Sequence, residues 1–82
     1  EIGTIEHYFD RAGVAAINIT TGELSVGDTV HIKGNTTDVT TKVESMQIEH
    51  ESVQTAKVGD GVGVKIGEKV RQHDTVLKVT ED

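Results

Sequence analysis

The sequence predicts an all-β fold, a small closed antiparallel barrel of six or seven strands. Three observations carry this expectation. Val, Ile and Thr supply 12, 7 and 11 of the 82 residues, and β-branched side chains are stiff at χ1 and pack well on a pleated surface. Helix formers are scarce, with four Ala and two Leu, too few for several amphipathic helices. Turn residues recur at intervals of about ten, the spacing of short strands in a barrel or sandwich. Closure suits so small a chain because it removes exposed edges.

The elements follow in order. Gly3 to Tyr8, with Ile5, reads as a first strand, and Asp10 to Gly13 as a polar turn. Val14 to Ile19 is apolar on much of both faces, which predicts a strand covered on both sides. Thr20 to Glu23 turns the chain, Leu24 and Val26 follow, and Gly27-Asp28 is a strong turn signal. Thr29 to Lys33 alternates cleanly, with Val30 and Ile32 inward. Val39 to Glu49 is a longer strand candidate whose apolar parity changes between Val43 and Met46. A period of two cannot change parity without an extra residue, so a bulge or bend is expected near Glu44 and Ser45. Ser52 to Thr55 extends the pattern. Val62, Val64 and Ile66 share a face, and Thr75 to Val79 forms the last strand.

Composition bounds the function. The length predicts one domain over residues 1–82. No Cys is present, so disulfides, thiolate metal sites and cysteine nucleophiles are excluded. No apolar run is long enough for a transmembrane helix and no signal-peptide pattern opens the chain. A cytoplasmic protein is expected, with no membrane partner. A chain that begins at Glu1 rather than Met is expected to be processed, trimmed or excised from something longer. The net charge of −6 disfavours generic contact with phosphate backbone over most of the surface.

Few residues mark a site. His7, His31, His50 and His73 lack the i, i+4 spacing of a helical zinc site, so no metal site is predicted. Gly59, Gly61 and Gly63 superficially resemble a phosphate loop, but a strand pattern follows them and no Gly-Lys-Ser/Thr occurs. They read as a tight turn feeding a strand. Glu49-His50-Glu51 reads as a solvated strand end. No catalytic residue and no cofactor are predicted. Tyr8 and Phe9 are adjacent and point to opposite faces of a regular strand, so one is expected in the core. Lys57, Lys65, Lys69 and Arg71 lie near one another in sequence and form the candidate basic binding surface.

The order of the turns carries a resemblance. The segments are Gly22-Glu23-Leu24-Ser25-Val26-Gly27-Asp28-Thr29-Val30, Ala56-Lys57-Val58-Gly59-Asp60-Gly61-Val62-Gly63 and His73-Asp74-Thr75-Val76. In this order they resemble domain 2 of the translational GTPases, typified by elongation factor Tu. The resemblance covers nearly the whole chain and implies a six- or seven-stranded antiparallel barrel in a stand-alone translation-elongation-factor-like protein. It implies that Gly27-Asp28 and Gly59-Asp60 are structural turns, with Asp capping amides and Gly at φ > 0. The family's closing glycine is replaced by His73. The nucleotide-binding domain of the family is separate, and its motifs are missing here, so this chain alone is expected to bind no nucleotide. The implied function is a non-catalytic, RNA-binding or protein-binding module contacting transfer RNA, the ribosome or a translation-associated protein. The alternative is an accessory or C-terminal domain of a larger protein such as a U32-type peptidase.

Overall fold

The computed structural model describes residues 1–79. Among them, the strands are β1 (Gly3–Phe9), β2 (Val14–Ile19), β3 (Glu23–Ser25), β4 (Thr29–Lys33), β5 (Asp38–Lys42), β6 (Met46–Ile48), β7 (Glu51–Val53), β8 (Thr55–Lys57), β9 (Gly61–Lys65) and β10 (Thr75–Val79). Every pairing is antiparallel. Eight strands form one curled half-barrel sheet in the order β5-β4-β10-β1-β2-β9-β6-β7, and β3 and β8 form a separate ribbon. The expectation of a closed six- or seven-stranded barrel is therefore corrected to a barrel-like, open architecture. The sheet ends at β5 on one side and β7 on the other, and the two do not pair. Strands β3 and β8 pair only with each other, so the ribbon does not join the two sheet edges into one ladder.

The change of parity after Val43 marks the place where the chain leaves one end of the sheet for the other. β5 stops at Lys42, and β6 starts at Met46 beside β9. Val43 and Met46 are both buried. Backbone bonds replace the missing ladder: the Val43 amide donates to the Asp28 carbonyl at 2.8 Å, and the Gly27 amide to the Val43 carbonyl at 2.8 Å. The ribbon contributes Leu24 and Ala56, which face each other in register and are buried. Of the 17 buried apolar residues, Val and Ile supply all but Leu24, Met46, Ala15 and Ala56. Stiff side chains on facing strands thus make nearly the whole core. A register shift at Glu6 in β1 turns Tyr8 toward the core, half-buried, and leaves Phe9 outward.

Three turns share one construction. Asp28 accepts from the Ser25 amide at 2.8 Å, Asp60 from the Lys57 amide at 2.9 Å and Asp74 from the Arg71 amide at 2.8 Å. Each Asp amide returns a bond to the carbonyl of the same residue three positions earlier. The residue before Asp has positive φ: Gly27 at 99°, Gly59 at 93° and His73 at 74°. Such turns favour glycine at that position. At His73 a Cβ is carried into the left-handed region, at a cost of about 1–2 kcal/mol. The loop is held there by two bonds to β1, from the His73 amide to the Ile5 carbonyl at 2.8 Å and from the Ile5 amide to the Asp74 carbonyl at 2.9 Å.

Glu49 and His50 form the two-residue loop of the β6–β7 hairpin, since Ile48 pairs with Glu51. Both have positive φ, 51° and 67°, as in a type I′ turn, whose preferred residues are Asn-Gly. The segment is therefore a strained hairpin turn, where the sequence suggested a strand end. The double substitution Glu49→Asn/His50→Gly is expected to stabilise the fold by about 1–2 kcal/mol. Thermal denaturation checks this, with a rise in Tm of about 4 °C or more. An unchanged or lower Tm would rule out strain in this turn.

Candidate functional site

The described residues present two concave surfaces. The first is an apolar groove of about 490 Å³ on the outer face of β1, β2 and β9. Its lining includes Phe9, Val14, Ala16, Gly61 and Gly63, with Gln47, Glu49 and His50 from β6 and its turn. Ala16, Gly61 and Gly63 are the small outward residues of β2 and β9, so the sheet itself forms the floor there. Phe9 stands at one side, 49% exposed, with the His7 ring edge-on to it at a centroid distance of 4.4 Å.

The second surface is polar and lies around the segment from Lys69 to Thr75. On one side a cleft of about 670 Å³ is lined by Lys33, Asn35 and Thr36 and by Arg71, Gln72 and His73. On the other side a shallower depression is lined by His7, Tyr8, Asp10, Lys69 and Arg71. The pairing of Thr75 with Lys33 across β10 and β4 brings the β4–β5 turn beside this segment. Asp74, 6% exposed, lies at the base of the cleft. A Cβ on Gly34 would sit 2.0 Å from its Oδ1, so only glycine lets the two walls approach this closely.

The candidate basic surface divides in the structure. Lys69 and Arg71 line the same depression. Lys65 ends β9, opposite Val14. Lys57 lies on the ribbon, opposite Glu23, and its turn precedes the start of β9. The length of β9, about 13 Å at the usual rise, separates the Lys57 turn from Lys65. Lys33 carries no mark in the sequence, and His73 stands there as an unclustered histidine and as the replacement of a family glycine, outside the candidate basic surface. The signal for His73 was available: Arg71 and Asp74 repeat the spacing of Ser25 to Asp28 and of Lys57 to Asp60. Lys33 carries no local signal, since only the β4–β10 pairing brings it to Arg71.

His7 and His73 line one depression, and His31 and His50 lie apart from it. His31 Nε2 meets Asp38 Oδ1 at 2.5 Å on the outer face of β4 and β5, while His50 and His73 occupy separate turns. Among the described residues, no three His, Cys, Asp or Glu side chains are grouped to hold a metal ion. No described helix is long and apolar enough to cross a membrane.

An antiparallel barrel-like fold punctuated by three Gly/His-Asp turns defines the class, and the chain belongs to the elongation factor Tu domain 2 family, whose model matches residues 12–77. It is also 42% identical over 82 residues to an uncharacterized protease of Methanocaldococcus jannaschii, a match covering 99% of this chain and 20% of the protease. A collagenase of Porphyromonas gingivalis is 40% identical over 72 residues, with 87% of this chain and 20% of the collagenase covered. The chain thus spans about a fifth of the length of these curated relatives. The crystal structure of the C-terminal domain of a protein assigned as a U32 peptidase, from Geobacillus thermoleovorans, superposes with a TM-score of 0.88. The identity is 18%, with 96% of this chain and 91% of that one covered.

Proposed function

We propose that the chain is a non-catalytic accessory domain of a U32-peptidase-type protein and that its apolar groove docks a protein surface. The observation that carries the reading is the match of nearly the whole chain to about a fifth of the M. jannaschii protease. The fold shared with the C-terminal domain of a U32 peptidase supports it. Both favour the accessory-domain reading over a translation-factor module that contacts transfer RNA or the ribosome. The groove suits docking because Phe9 is a rigid aromatic anchor and its small neighbours leave room for a partner side chain.

The test is a titration of the isotope-labelled domain with the portion of the M. jannaschii protease outside the match. Amide shifts are expected to cluster on Phe9, Val14, Ala16 and Gly63. Phe9→Asp is expected to weaken the association by about tenfold or more while changing stability by no more than about 0.5 kcal/mol, as usual for an exposed site. Absence of shifts, or shifts that ignore Phe9→Asp, would refute docking through the groove.

A further inference from the structure

We propose that the cleft between the β4–β5 turn and the Arg71–Thr75 segment binds a phosphate group, held by Lys33, Arg71 and His73. This site is independent of the apolar groove. The first observation is charge. Lys33, Arg71 and His73 line one cleft in a chain of net charge −6. Among the described residues the ion pairs are His31–Asp38 and Lys78–Asp28, so none of the three side chains is matched to a carboxylate. Asn35, Thr36 and Gln72 add neutral polar groups to the same walls. An Arg fork, a Lys ammonium and an imidazole N–H are suited to the several acceptor oxygens of a phosphate.

The second observation is backbone conformation. Of the three turns built on Asp28, Asp60 and Asp74, two have glycine at positive φ, and the turn that borders this cleft has His73. A side chain kept in a disfavoured backbone conformation is a pointer to function. Here its effect is to add an imidazole to a cleft that already has two cations. The opposing charge, Asp74, is buried at the base of the cleft and engaged by the Arg71 amide at 2.8 Å. It fixes the segment that carries Arg71 and His73.

Titration with inorganic pyrophosphate, followed by amide shifts at low salt, tests the proposal. Saturating shifts are expected on Asn35, Thr36, Gln72 and His73. Lys33→Ala and Arg71→Ala are each expected to weaken binding about tenfold, as for loss of one charge-assisted contact. Both side chains are exposed, so these variants should fold. His73→Gly provides a readout that separates binding from stability: affinity is expected to fall several-fold while Tm rises. Shifts that do not saturate, shifts spread equally around Lys42 and Lys57, or affinities unchanged in all three variants would overturn the site. A second arm uses a single-stranded RNA hexamer without terminal phosphates. If it reproduces the pyrophosphate shifts with the same dependence on the variants, the phosphate belongs to a nucleic-acid backbone. If pyrophosphate alone does so, the ligand is a small phosphorylated compound.

Discussion

Gly3→Ala is expected to destabilise the protein by about 3 kcal/mol or more, the upper end of overpacking effects. Gly3 sits where β1 pairs with both neighbours, opposite Ile19 on β2 and Val76 on β10. A Cβ built there would lie 2.1 Å from the carbonyl oxygen of Asn18 and 3.0 Å from its carbonyl carbon. Both atoms are backbone, so no rotamer change can relieve the contact. β2 would have to move away from β1, lengthening the hydrogen bonds of the two central strands. The clean control is Gly67→Ala, where a Cβ would meet nothing within 4 Å. Urea denaturation of the two variants reads the difference as a shift in midpoint. Equal midpoints for Gly3→Ala, Gly67→Ala and the parent would show that the β1–β2 spacing is not rigid.

Ile17→Ala should cost a similar amount by the opposite mechanism, about 3–4 kcal/mol for a buried Ile cut to Ala. Ile17 has 0% exposure and lies between Ile5 on β1 and Val62 on β9. Its neighbours are held in register by hydrogen bonds on both sides, so they cannot collapse into the space left. Small proteins have total stabilities of roughly 5–15 kcal/mol, so a loss of this size leaves little reserve. Chemical denaturation checks it, with Thr40→Ala on the exposed side of β5 as a reference expected to lie within about 0.5 kcal/mol of the parent. A loss below about 1 kcal/mol at Ile17 would mean that the core closes around the cavity.

Much of the local structure was legible because its causes are local. Val14 to Ile19, Thr29 to Lys33 and Thr75 to Val79 are strands in the structure with the bounds that the sequence predicts. The parity change after Val43 suggests a bulge or bend near Glu44 and Ser45 within one strand; the irregularity is there, but it is a full break between β5 and β6, which pair with different strands. The shift at Glu6 left no such mark, because Ile5, His7, Tyr8 and Phe9 show no clear change of parity. The Glu49-His50 turn was missed for a related reason: neither residue is a usual type I′ turn former. Its conformation follows from the pairing of Met46 to Ile48 with Glu51 to Val53.

The sites were less legible than the strands. Lys57, Lys65, Lys69 and Arg71 are close in sequence, but the length of β9 parts Lys57 from Lys65, while Lys69 and Arg71 stay together in one depression. Arg71 and Lys33 are distant in sequence, yet β10 lies beside β4 and brings them to one cleft. The floor of the apolar groove combines Ala16 with Gly61 and Gly63 in the same way, because β2 lies beside β9.

The sequence by itself determined that this protein is β-structured, where its Gly-Asp turns fall and that Val30 and Ile32 face inward on their strand. Those properties depend on side-chain shape, period-two patterning and Gly-Asp chemistry over a few residues. Only the tertiary structure decided that the sheet stays open, with the β3–β8 ribbon completing the core, and which charges share a cleft. Strand order and register join residues far apart in the chain, and their energies depend on partners that no local window contains.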